Sequence, residues 1–300
     1  MDERPENPYL EPEVLSRLAH QFLYARAPMV GSVTGLHKSP HRGSSVEFAE
    51  YRKYTPGDDI RRLDWRVFGR TDRFYIREFE ADTNLRCYCV LDCSASMGFG
   101  PAGKTKLDYA KRLIASLAYL SVQQGDAVGL QCYADKVLHD VPPRRNPAHL
   151  RNIFDTLGAA VPTGETALVP TLHDFAEKVR SRALVIIFSD CFCDVGALLD
   201  AFQHLRFRKH DLAVFHLLDA QEVDFKFDRP IRFLDMELTD SLLAEPAVIR
   251  TQYLAALDEY LVRLREGCNR FNADYRRVLT NQSYEQVLAD FLVEREQLMK

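Results

Sequence analysis

The sequence predicts an α/β protein: a mostly parallel sheet with helices on both faces, preceded by a helix and an irregular, strand-containing extension. Three observations carry this expectation. From Leu85 onward, apolar stretches of strand length alternate with longer stretches of helical period. The run Ala183 to Phe188 (ALVIIF) is apolar without a break, as a strand covered on both faces must be. Gly125-Asp126 follows a long helical pattern and precedes VGLQCYAD, which marks a helix stop followed by a strand start.

In chain order, residues 11–25 space Val14, Leu15, Leu18, Phe22 and Leu23 at helical intervals, giving one amphipathic helix. Residues 26–45, rich in glycine, serine and proline, read as a loop. His37 and His41 stand there at a spacing that suits a metal only on a helix, and Pro40 argues against a helix. Val46 and Phe48 alternate as a strand, and Pro56-Gly57 makes a turn. Asp58 or Asp59 is placed to cap a short helix through about Phe68, and Phe74 to Phe79 gives a second strand. Further strands are expected at 85–91, 127–133, 136–141, 183–189, 211–218 and 273–279, and helices at 105–124, 147–157, 168–181, 195–208, 246–271 and 283–298. The short link Ala134-Asp135-Lys136 makes 136–141 an antiparallel edge strand. Val223, Phe225 and Phe227, then Ile231 and Phe233, alternate around Asp228-Arg229-Pro230, so an inserted hairpin is expected at about 220–245. The division is a 1–84 extension and an 85–300 α/β domain.

The chain has 300 residues, enough for one large unit with additions, and its net charge of -4 gives no global reason to expect nucleic acid or an anionic membrane as partner. Seven cysteines, an odd number, and a polar N-terminus without a signal-peptide pattern point to a reducing compartment, the cytoplasm. The apolar stretches fall short of the roughly 18–20 residues that span a bilayer, so no transmembrane segment is expected. One stretch is locally basic: Arg61, Arg62, Arg66, Arg70, Arg73 and Arg77 face only Asp64 and Asp72. It suits either an acidic partner surface, with Arg61, Arg62, Arg66 and Arg70 as its candidates, or internal pairing with Asp58, Asp59, Glu78 and Glu80. Trp65, the single tryptophan, is expected in the core.

The chemistry-bearing stretch is Leu85 to Met97, a strand that ends in Asp92-Cys93-Ser94-Ala95-Ser96. In an open parallel sheet, loops at the carboxyl ends of strands converge where strand order reverses. Asp92 and Asp190 each end an expected strand, and Thr166, in Gly164-Glu165-Thr166, precedes a helix. In an extended loop Ser94 and Ser96 point the same way. Carboxylate and hydroxyl oxygens are hard ligands that suit Mg²⁺ or Mn²⁺. A mostly neutral ligand set leaves a coordination position that a carboxylate of another protein can fill. The Asp-x-Ser-x-Ser pattern alone is weak; its order with Gly-x-Thr and Ser-Asp carries the reading. Cys87 and Cys89 read as core residues on one strand face. Cys93, Cys191 and Cys193 flank the same locus, and a thiolate site there lacks a fourth ligand at convincing spacing. His173 follows on the helix after Thr166, where core or surface placement outweighs a ligand role.

The segments VLDCSASMGFG, TGETALVPTL and LVIIFSDC resemble the three loops of the metal-ion-dependent adhesion site of von Willebrand factor A domains. The upstream block GLHKSPHRGSSVEFAEYRKYTPGDDIRRLDWRVFGRTDRFYIREFE is similar to the hallmark of a bacterial uncharacterised family, domain-of-unknown-function family 58, and ADYRRVLTNQSYEQVLADFL fits its closing strand and helix. The resemblance implies a Rossmann-like von Willebrand factor A sheet of six strands in the order 3-2-1-4-5-6, with Asp92, Ser94, Ser96, Thr166 and Asp190 at the metal positions. Genes of that family commonly lie beside MoxR-type AAA+ ATPases. It therefore implies a non-enzymatic, metal-dependent interaction module, an adaptor that works with such an ATPase in assembly, folding or cofactor insertion of a client protein. Many members carry N-terminal membrane helices, which this sequence lacks. The alternative is a Mg²⁺-dependent phosphatase-like hydrolase with Asp92 as nucleophile. Hydrolases of that type place a second aspartate two residues on, as general acid, where this chain has Ser94.

Overall fold

The computed structural model describes residues 8–26, 47–55, 64–71, 73–80, 85–227, 231–234, 236 and 241–298. The N-terminal part holds helix α1 (Pro12–Leu18), then strand β1 (Glu47–Lys53), helix α2 (Trp65–Thr71) and strand β2 (Tyr75–Glu80). β1 and β2 pair antiparallel as a separate two-stranded sheet. The central part runs β3 (Arg86–Asp92), α3 (Lys106–Gln123), β4 (Ala127–Tyr133), β5 (Val137–Arg144), α4 (His149–Ala159), α5 (Leu168–Lys178), β6 (Leu184–Ser189), α6 (Val195–Phe207) and β7 (Asp211–Leu218). After it come α7 (Ala220–Asp224), the antiparallel pair β8 (Ile231–Leu234) and β9 (Ser241–Ala244), α8 (Pro246–Arg270), β10 (Asp274–Leu279) and α9 (Tyr284–Gln297).

Six strands form the main sheet in the spatial order β10-β7-β6-β3-β4-β5. Numbered by their appearance in the chain from β3, this is the expected order 3-2-1-4-5-6. All neighbours are parallel except β4 and β5, so the short link at 134–136 does make an antiparallel edge. Strand order reverses between β3 and β6, which places the crevice at the ends of those two strands.

Alternation along the strands builds two cores. Cys87, Cys89 and Leu91 of β3, with Ile186, Phe188 and Phe215, pack on one face against α3, α4 and α9. Val90, Val185, Ile187, Leu212 and Val214 pack on the other against α5, α6 and α8. Successive side chains point to opposite faces, so each central strand has to be apolar throughout. The helices start and stop by local chemistry: Thr105 and Asp108 form a reciprocal capping box on α3, and Gly125, at φ +79°, ends it.

Three expectations are corrected. The first helix stops at Leu18 and not near 25, because residues 21–26 form a strap whose backbone is pinned elsewhere. Leu23 N donates to Gln124 Oε1 (3.1 Å) and Gln124 Nε2 donates to Gln21 O (2.7 Å), which satisfies backbone groups that a helix would have paired internally. The strand expected from Val223 to Phe227 is instead α7, since Asp219 and Glu222 form a capping box and Phe225 closes the turn at φ +46°. The hairpin is confined to 231–244. Asp64 caps α2 through the N–H groups of Arg66 and Val67; the cap expected from Asp58 or Asp59 lies outside the described residues. Trp65 is 62% exposed and packs edge-on against Phe68, because the buried residue of this turn is Asp64.

Among the described residues no helix is long and apolar enough to cross a membrane. At the amino ends of β7 and β10, fully buried Arg295 binds Asp211 and Asp274, and its Nε donates to Tyr24 O. The same acids hold Arg26, through its backbone N–H on Asp211 (2.8 Å) and its guanidinium on Asp274. The strap is therefore fastened to the sheet by buried charge.

Removing one partner of a buried ion pair strands the other. Arg295→Met should cost about 3–5 kcal/mol in urea unfolding, and an unchanged midpoint would show that the network adds nothing. Burial pushes the pKa of His216 down to about 4. The unfolded chain takes up a proton near its ordinary value and the folded chain does not, so this share of stability is complete above about pH 6.5 and is lost as pH falls toward 4. His216→Gln should flatten that slope in unfolding titrations between pH 7.5 and 4.5; an identical slope would refute the assignment.

Candidate metal centre

β3 delivers Asp92 to the crevice floor, and β6 delivers Ser189 and then Asp190; all three are fully buried. Each Asp92 oxygen is engaged. Oδ1 accepts from Ser94 N (2.9 Å), and Oδ2 accepts from Ser189 Oγ (2.6 Å) and Thr166 Oγ1 (3.2 Å). Ser94 is the N-cap of a 3₁₀ turn (Ala95–Gly98), and its Oγ lies 3.1 Å from Ser96 Oγ. The two serines meet because the chain turns there, and not through the extended loop expected from the sequence. The Thr166 loop is fixed to this turn by Ala95 N on Gly164 O (2.9 Å) and Thr163 N on Cys93 O (2.8 Å). Gly164 sits at φ +62°, a conformation that side-chain-bearing residues rarely adopt. Four of the five expected ligands, Asp92, Ser94, Ser96 and Thr166, are thus linked by direct hydrogen bonds.

Asp190, the fifth, is bound to an ammonium. Lys106 Nζ donates to Asp190 Oδ2 (2.7 Å) and to Glu222 Oε1 (2.8 Å), and Phe192 N approaches Asp190 Oδ1 at 3.4 Å. Burial alone would lower the Lys106 pKa, but the two carboxylates reverse this and hold it above the ordinary lysine value. Burial and then the Asp190 charge raise the Asp92 carboxyl to about 6, against the hydrogen bonds from Ser189 and Ser94. Asp92, Asp190 and Glu222 against Lys106 leave two negative charges when all are ionised. That is the deficit a divalent cation would cancel, and the donors are all oxygen, so the residues fit Mg²⁺ or Mn²⁺.

Among the described residues no three His, Cys, Asp or Glu side chains converge on a common metal position. The seven cysteines are all free. Cys93 faces Cys132, a partner the sequence did not suggest, and its thiol pKa is raised by that contact and then by burial. Burial raises the Cys193 thiol to about 12, so these groups are not thiolates at neutral pH. His173 Nδ1 lies 3.0 Å from His204 Nδ1, between α5 and α6 and apart from the crevice residues. Arg66 and Arg70 are exposed on α2, while Arg61, Arg62, His37 and His41 lie outside the described residues. A separate groove of about 1610 Å³ runs between α1, α3 and α4, lined by Tyr9, Leu15, Phe22, Leu150 and Phe154, and none of the crevice residues lines it.

Sequence reasoning missed Lys106, Glu222 and the role of Ser189. One signal was available: Lys106 is the first residue of α3, where the helix dipole disfavours a cation.

A carboxyl whose folded pKa is raised loses stability as pH rises from its unfolded value near 4 through about 6. In EDTA, Asp92→Asn should therefore stabilise the protein by about 2 kcal/mol more at pH 7.5 than at pH 4.5. Equal effects at both pH values in urea titrations would contradict the buried-charge account.

The chain is 27% identical over 219 residues to the uncharacterized proteins Rv1480 of Mycobacterium tuberculosis and Mb1516 of Mycobacterium bovis, covering 71% of this chain and 68% of each relative. Similar solved structures include the conserved hypothetical protein BatB from Bacteroides thetaiotaomicron (14% identity, TM-score 0.46) and an aerotolerance-related membrane protein from Bacteroides fragilis (17% identity, TM-score 0.44). Each is matched over 71% of this chain and 100% of its own length. The family model described as protein of unknown function DUF58 matches residues 50–260, and the chain belongs to that family.

Proposed function

We propose that the crevice is a divalent-metal site through which this protein binds an acidic side chain of another protein. The observation that carries the proposal is Asp92: a fully buried carboxylate ringed by hydroxyls, with its pKa raised to about 6 and charge left to neutralise. Asp92, Ser94, Ser96, Thr166 and Asp190 are the ligand candidates. Ser96 and Thr166 are partly exposed, so an ion among these groups would be reachable from solvent. When bound, the ion would supply positive charge at the mouth for a partner's carboxylate.

The chain's own residues do the rest. Ser189 and Ser94 N hold Asp92 in place, and the 162–166 loop is locked against 93–95. Without an ion the buried cluster is negative and exposed Glu165 adds to it, so an acidic partner should be repelled. Metal would then act as the switch for binding. A MoxR-type AAA+ ATPase, or its client, is the partner implied by the sequence resemblance, with this protein as adaptor. The hydrolase reading gains nothing from the geometry, since Ser94 stands where the second, general-acid aspartate would have to be.

Loss of the free Mn²⁺ EPR signal should show saturable binding by the wild type, and Asp92→Ala and Ser96→Ala, each checked for folding, should abolish or greatly weaken it. No saturation at millimolar Mn²⁺ would sink the metal reading. Hydrolysis of p-nitrophenyl phosphate that disappears in Asp92→Ala would favour an enzyme instead.

A further inference from the structure

We infer that Lys106 is a positioning residue of the metal centre: its ammonium occupies the Asp190 carboxylate, so a divalent ion is held by Asp92 and the hydroxyls with Asp190 outside its inner coordination sphere. This deepens the metal reading above and rests on it.

The ammonium is clamped from three elements. Its stem leaves the first turn of α3, Asp190 Oδ2 at the end of β6 accepts at 2.7 Å, and Glu222 Oε1 on α7 accepts at 2.8 Å. The Phe99 and Phe192 rings lie 5.9 and 5.2 Å from Nζ, which adds cation–π attraction and shuts out solvent. Glu222 cannot follow a moving lysine easily: its other oxygen accepts from Asp219 N (2.6 Å), and its backbone carbonyl accepts from Tyr253 Oη (2.8 Å). Lys106 and Asp190 are fully buried, so swinging the ammonium away would leave two acids without a counter-charge.

A metal ion bound directly to Asp190 would stand against this ammonium on the same carboxylate. With water excluded, like charges so placed repel strongly. One consequence is a centre of modest affinity, because a single carboxylate and neutral hydroxyls leave half of the ion's charge without a directly bound counter-charge. A second is that the partner's carboxylate, in completing the neutralisation, must tighten metal binding by the factor by which metal tightens partner binding.

The test uses the full chain and Mn²⁺ alone. Wild type, Lys106→Met and the pair Lys106→Met with Glu222→Gln are titrated by EPR, each with Asp190 intact or as Asp190→Asn. The paired variant keeps two negative charges, those of Asp92 and Asp190, so a change in its affinity does not come from net charge. It should bind Mn²⁺ about tenfold more tightly than wild type, and Asp190→Asn should cost about tenfold more in it than in wild type. Equal affinity, or equal cost in both backgrounds, would overturn the inference while leaving the metal site standing; absence of binding in wild type and every variant would remove both. A second measurement needs no substitution. Electron–nuclear double resonance on wild-type protein with ¹³C-labelled aspartate carboxylates should show one directly coordinated aspartate, and two would refute the assignment.

Discussion

One ammonium, Lys106 Nζ, stands between two carboxylates in a part of the molecule closed to solvent on nearly every side. Carboxylates buried without a counter-charge would be protonated or would open the crevice to water. With Lys106 in place, Asp190 and Glu222 share one counter-charge, and with Asp92 ionised the cluster keeps two negative charges that its surroundings do not answer. The arrangement ties the end of β6 to the start of α3 and to α7. The crevice is accordingly rigid around its floor and short of positive charge.

The sheet makes this possible. β3 and β6 are neighbours at the reversal of strand order, so residues 92 and 190 end up side by side although nearly a hundred positions separate them in sequence. Packing on both faces fixes the strands, and the hydrogen bonds of Ser189 and Ser94 then fix the carboxylate of Asp92. Hydrogen bonds that hold a group in an otherwise unfavourable charged state belong to the same design as the candidate ligands.

Much of this was legible in the sequence, for definite reasons. Periods of two and of 3.6 set the main sheet and its helices, because each strand of β3, β6 and β7 must be apolar on both faces. Asp92, Ser94, Ser96, Thr166 and Asp190 could be named because each stands at a strand end or before a helix, where topology alone brings loops together. Lys106 could not, since its partners lie 84 and 116 residues away and nothing local distinguishes it from a solvated lysine except its place at a helix start. The Val223 to Phe227 alternation misled because the capping box of Asp219 and Glu222 outweighed it over a few residues. Leu23 fits a helical stripe equally well in a strap, where Gln124 supplies the backbone hydrogen bonds.

The fastening of the strap to Arg295 also bears on how the molecule can be divided. The matched family segment, residues 50–260, begins after the strap and ends inside α8. A chain cut to those limits would lose β10, the edge partner of β7, together with Arg295, a buried cation paired with Asp211. The hydrogen-bonding edge of β7 would face solvent along its length, a surface on which other chains can add as strands. The segment that defines the family is thus shorter than the segment that completes the six-stranded sheet.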